Sequence, residues 1–154
     1  MNSDQYRLLL EDLARVSGMS DSVSLVEHGR LMVGDLEAVL EHEPSYDDKL
    51  LQLRMRIGTL PADPADLTRA ILEANYVGGY GGECVFSLFP ATDDVVVTMR
   101  LRLDDSLSAQ ELWQSMSDLA RHGSQMWQGI AAAAHALEGA ATSSLVRDTP
   151  VLRA

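Results

Sequence analysis

The stretch from Leu60 to Leu103 constrains this chain most, because it writes a helix, a glycine corner and a two-strand hairpin in unbroken succession. Asp63-Pro64 opens the helix, with Asp as N-cap and Pro at the first helical position, where a missing N–H costs nothing. Leu67, Ala70, Ile71 and Ala74 line one face, while Leu72 and Tyr76 carry apolar character around the cylinder. A helix apolar on two sides is expected to meet two surfaces, its own sheet and a second subunit. After GGYGG, residues 78–82, Cys84, Phe86 and Leu88 face one way. Val95, Val97, Met99, Leu101 and Leu103 match them on the return strand, the period-two pattern of a sheet with one buried face. Cys84 reads as a small buried hydrophobe.

Upstream, Ser3 is positioned to cap a helix whose Tyr6, Leu9, Leu10, Leu13 and Val16 follow helical spacing, with Gly18 as the stop. Leu8 lies beside that stripe, as a scattered surface leucine or as extra apolar surface. Val23 and Leu25 then lead into strands, with Leu31 to Val33 and Leu36 to Leu40 flanking a Gly34-Asp35 turn. Leu51, Leu53, Met55 and Ile57 alternate with Gln52, Arg54 and Arg56, giving a third antiparallel strand. Downstream, Ser108 and Glu111 form a capping box and Leu107 and Leu112 a hydrophobic staple. The helix they open carries Met116, Leu119, Gly123, Met126, Trp127 and Ile130 on one stripe and is expected to end near Leu137. The expected architecture is α+β, a twisted antiparallel sheet of about five strands with three helices in the order α-β-β-β-α-β-β-α. One domain spans residues 1–138, followed by a loosely ordered tail at 139–154.

At 154 residues the chain affords one sizeable core. Its formal charge of −11, from 12 basic and 23 acidic residues, repels phosphate backbones and anionic lipid, so neither nucleic acid nor a membrane is the expected partner. The only basic pairs, Arg54 with Arg56 and Arg100 with Arg102, fall on the wet side of strands, where cross-strand carboxylates are their natural partners. One cysteine allows no internal disulfide, and the first residues are too often charged for a secretory or membrane-spanning segment, so a reducing cytoplasm is expected.

The polar clusters carry no catalytic or ligand-binding pattern. GGYGG has no following Lys-Ser/Thr, lacks the spacing of a dinucleotide loop and precedes a strand rather than a helix, which puts the phosphate reading far behind a helix stop and turn. His28, His42, His122 and His135 share no metal spacing with one another or with Cys84. Asp47-Asp48, Asp93-Asp94 and Asp104-Asp105 stand at strand ends where aspartate stabilises turns. No nucleophile motif is present. Met19, Met32, Met55, Met99, Met116 and Met126 serve either as core fillers or as a pliant binding surface. The chain therefore reads as a non-catalytic domain with more apolar face than one core consumes, pointing to polypeptide binding, self-association or both.

Leu60-Pro61, Leu72 and Asn75 near the helix end, Gly81-Gly82 before a strand, Leu101-Arg102-Leu103 and Trp127 late in the last helix, in this order, resemble the class I type III secretion chaperones of the Tir chaperone family. The resemblance covers roughly residues 6 to 130 and departs from the family in its glycine-rich corner and longer tail. It implies a cytoplasmic homodimer that holds the N-terminal region of a secreted effector in an export-competent state, with no nucleotide or metal cofactor of its own. The expected client groove is Leu8, Leu9, Leu13, Leu25, Leu31, Val33 and Leu53, a set that mixes core with surface. For the dimer contact the family suggests Leu67, Ile71, Leu72, Val85 and Phe86. The tail is a candidate contact for the export apparatus and its ATPase. The alternative function is a regulatory module of the same fold that sequesters a transcription factor or another chaperone, and an enzyme acting at the glycine corner ranks last.

Overall fold

The computed structural model describes residues 3–19, 22–61, 63–78, 84–89 and 91–147, excluding the side chains of 77–78 and 135–147. Its elements are α1 (Ser3–Ser17), α2 (Val23–His28), β1 (Arg30–Val33), β2 (Leu36–His42), β3 (Leu50–Thr59), α3 (Ala65–Gly78), β4 (Cys84–Leu88), β5 (Asp94–Arg102) and α4 (Ala109–Arg147). The expected α+β order holds, with one short helix, α2, added between α1 and the sheet.

All five strands join one antiparallel sheet in the order β1-β2-β3-β5-β4, so the three-strand meander and the later hairpin meet where β3 pairs with β5. Alternation makes this sheet one-sided. Leu31, Val33, Ala38, Leu40, Leu51, Leu53, Met55, Phe86, Val95 and Val97 are buried in a single core with Leu9, Leu10 and Leu13 of α1 and Leu112, Met116 and Leu119 of α4. The opposite face carries the arginines. Arg54 pairs with Glu41 at 2.9 Å and Arg56 with Asp94 at 2.8 Å, the cross-strand carboxylate partners that alternation called for.

β3 runs two residues further than its alternation suggested, because a bulge falls between Arg56, opposite Val96, and Gly58, opposite Val95. At Gly58 the strand has no side chain and the indole of Trp127 lies against its backbone; a Cβ there would stand 2.8 Å from Cζ2 of that ring. Glycine is thus required at this point by close approach.

Val23 and Leu25 correct the sequence reading: they belong to α2 and do not lead into a strand. Only Leu25 of this segment is fully buried, so no period-two face forms. Gly29, in the left-handed conformation at φ 66°, closes the helix by donating its N–H to the Leu25 carbonyl at 2.8 Å. Its own carbonyl accepts the Leu40 N–H at 2.7 Å, so the residue that ends α2 also begins the pairing of β1 with β2.

Helix α3 starts at Ala65, one position after the predicted first helical residue Pro64, whose carbonyl accepts the Thr68 N–H at 2.7 Å. The capping box of α4 is present as expected: Ser108 N–H and hydroxyl donate to Glu111 Oε2 at 2.9 and 2.7 Å, and Glu111 N–H donates to Ser108 Oγ at 3.2 Å. α4 continues to Arg147, past the expected end at Leu137, because alanines at 131–134, 136, 140 and 141 sustain helix propensity through a segment that lacks an apolar stripe. Of the tail at 139–154, residues 148–154 lie outside the described residues, as do 79–82 of the glycine corner.

Candidate functional site

The structure divides the mixed client list. Leu9, Leu13, Leu25, Leu31, Val33 and Leu53 are all buried in the core, where they shape the surface from beneath, while Leu8 is 57% exposed. The cause is helical phase. Leu9, Leu10, Leu13 and Ala14 form the inward stripe of α1, and Leu8 sits outside it on the same helix.

An open cleft of about 690 Å³ lies between α1 and α2. Tyr6, Leu10, Ala14, Met19, Val23 and Val26 give it an apolar lining, and Arg7, Glu11, Arg15 and Glu27 stand around them. Sequence reasoning missed this cleft because one of its walls is α2, which had been read as strand. The Tyr6 ring rests on His42 of β2, centroids 4.9 Å apart and tilted by 55°. Burial pushes the Tyr6 phenol up to about 12.

β1, which follows α2 in the chain and packs against it, forms one edge of the sheet. The Leu40-to-Gly29 bond sets the phase of the β1–β2 ladder, so Leu31 and Val33 exchange bonds with β2. Arg30 and Met32 therefore turn their N–H and C=O groups outward, at the end of the sheet order. Such an edge can accept an extended segment through main-chain hydrogen bonds, and the exposed Met32 side chain flanks it.

A second apolar surface lies at the opposite end of the sheet. Of the residues expected at a dimer contact, Leu67, Ile71 and Phe86 are buried within the subunit, whereas Leu72 and Val85 are 65% and 54% exposed. Tyr76 on α3 and Leu88 and Phe89 at the end of β4 are exposed as well. The α3 helix is fastened to β4 by Asn75, whose Nδ2 donates to the Phe86 carbonyl at 2.8 Å while its Oδ1 accepts the Phe86 N–H at 2.8 Å.

Among the described residues no group of three His, Cys, Asp or Glu could hold a metal ion, and no helix is long and apolar enough to cross a membrane. Cys84, read as a buried hydrophobe, is half-buried and lines a small cavity under α4 together with Asp118 and His122. The carboxylates held below their usual range owe it to neighbouring hydroxyl, amide or guanidinium donors: Ser45 for Glu43, Ser106 for Asp104, Ser108 for Glu111, and Gln114 then Arg121 for Asp118. They belong to turns, a helix cap and a helix flank.

The sequence profile of the Tir chaperone protein (CesT) family matches residues 8–128. No curated protein sequence matches significantly. Among solved structures the fold is similar to one in the HopA1–SchA chaperone–effector complex, with TM-score 0.62 and 15% identity over 82% of this chain and 95% of that one. It is also similar to one in the ExsC–ExsE complex, with TM-score 0.61 and 17% identity over 82% and 92% of the two chains. The profile takes in two thirds of α1, the whole sheet, α3 and the first half of α4, and the chain belongs to the Tir chaperone protein (CesT) family.

Proposed function

We propose that this protein is a cytoplasmic type III secretion chaperone that holds the N-terminal region of one or more effectors soluble and extended before export. The family match over residues 8–128 carries this reading. The geometry supplies a physical route: the outward backbone groups of Arg30 and Met32 bind an extended client, and the α1–α2 cleft with Leu8 takes its apolar side chains. The chain acts as a homodimer through the patch of Leu72, Tyr76 and Val85, which leaves β1 and α1 free on each subunit. The excess of acid keeps the loaded complex soluble, and its work is binding rather than catalysis. The C-terminal tail remains our candidate contact for the export ATPase.

The test is recovery of the protein from a secreting cell, with mass spectrometry of whatever polypeptide accompanies it and limited proteolysis of the complex. The expected result is an exported protein whose N-terminal region is protected. A partner retained in the cell after secretion is triggered would favour the sequestering regulator instead, and a chain recovered alone and monomeric would sink both.

A further inference from the structure

The two hydrogen bonds of Asn75 stand at an unusual place. The Phe89 N–H donates to the Asp94 carbonyl at 2.9 Å, which sets the phase of the β4–β5 ladder. In that phase Phe86, opposite Val97, is a non-hydrogen-bonded pair, so its N–H and C=O point out of the sheet at the β4 edge. These are the central groups that an added strand would use, between those of Cys84 and Leu88, and the Asn75 amide satisfies both at 2.8 Å. Its donor and acceptor reproduce one rung of a β-ladder from a helix.

We propose that Asn75 is a positioning residue with two effects: it closes the β4 edge to strand addition, and it locks α3 and β4 into one rigid platform for the second subunit. Leu72 and Tyr76 lie three residues before and one after Asn75, and Val85 is adjacent to Phe86, so the lock fixes the exposed side chains from both elements relative to one another. The two copies then meet side chain to side chain, and a client strand has only the β1 edge to join. This inference rests on the homodimer reading for its second effect and on geometry alone for its first.

Amide hydrogen exchange on the full chain, with light scattering over a concentration series, separates the two. In Asn75→Ala the Phe86 amide should exchange at least about tenfold faster while the Val97 amide, bonded to β3, stays protected. Self-association should weaken by about tenfold or more in the same variant. In Leu72→Asp the dimer should be lost with the Phe86 amide still protected. Equal Phe86 exchange in wild type and Asn75→Ala overturns the lock, as does a parallel loss of protection at Phe86 and Val97, which would mark plain destabilisation. Undiminished association of an Asn75→Ala chain that has lost Phe86 protection overturns the platform. A monomeric wild type overturns the homodimer reading, while the Phe86 amide still reports on the closed edge.

Discussion

Gly58 and Trp127 form a contact that neither could make with a different partner of ordinary size. The indole occupies the space a side chain at 58 would need, over the bulge that lets β3 reach Thr59. Gly58→Ala should therefore displace the ring and destabilise the fold by about 1–3 kcal/mol, lowering the melting temperature by roughly 2–10 °C. Thermal unfolding checks this, and the cost should shrink in a Trp127→Ala background because the two residues share the contact. At the start of α4, Ser108 holds the Glu111 carboxyl below its usual range through its hydroxyl and N–H. A depressed folded value means that the cap stabilises above the ordinary glutamate range and loses this contribution as pH falls through the folded value. The melting temperatures of wild type and Ser108→Ala should accordingly differ most at neutral pH and draw closer in acid, where only the bond from the Glu111 N–H to Ser108 Oγ still separates them. The capping box was legible because both partners lie within four residues. The Gly58–Trp127 contact was not, since 69 positions separate its members and no local pattern announces a ring over a strand.

Among the elements, the strands were read well because alternation is a short-range signal with a large penalty for slippage. Leu51, Leu53, Met55 and Ile57 had one possible face, and they took it. α2 was misread because two valines and a leucine in six residues satisfy strand propensity, and only tertiary packing of Leu25 decides for the helix. The cleft followed from the same misreading: the expected groove lies on the first helix and first sheet, and the cleft runs between α1 and α2. Client affinity should respond to Leu8→Asp on α1, with binding of the recovered effector reduced at least tenfold and the melting temperature nearly unchanged, because Leu8 is exposed. α4 carries a further prediction. Ile130 and Ala134 are buried although they lie past the family-matched residues, so this turn of α4 belongs to the core. Ile130→Ala should cost about 2–4 kcal/mol in denaturant unfolding, against a negligible effect if this turn were peripheral.

At the scale of the whole molecule, the sheet presents unlike ends. One edge offers the backbone of Arg30 and Met32, and the other is occupied by Asn75. The order of elements was enough to suggest the family, but a sequence does not state which strand is outermost, and the sheet order supplies that fact. Light scattering of the wild-type chain should give twice the chain mass, and Val85→Lys should return one chain mass without loss of helical signal, since Val85 is largely exposed within the subunit. Gly29 adds a mechanical consequence. It ends α2, starts β1, and stands so close to the Leu40 carbonyl oxygen that no side chain fits there. Its carbonyl holds β2 and its N–H holds α2, so tension applied to β1 is delivered to the helix through a single residue. A strand bound at this edge and pulled outward would load the ladder and α2 through that same residue.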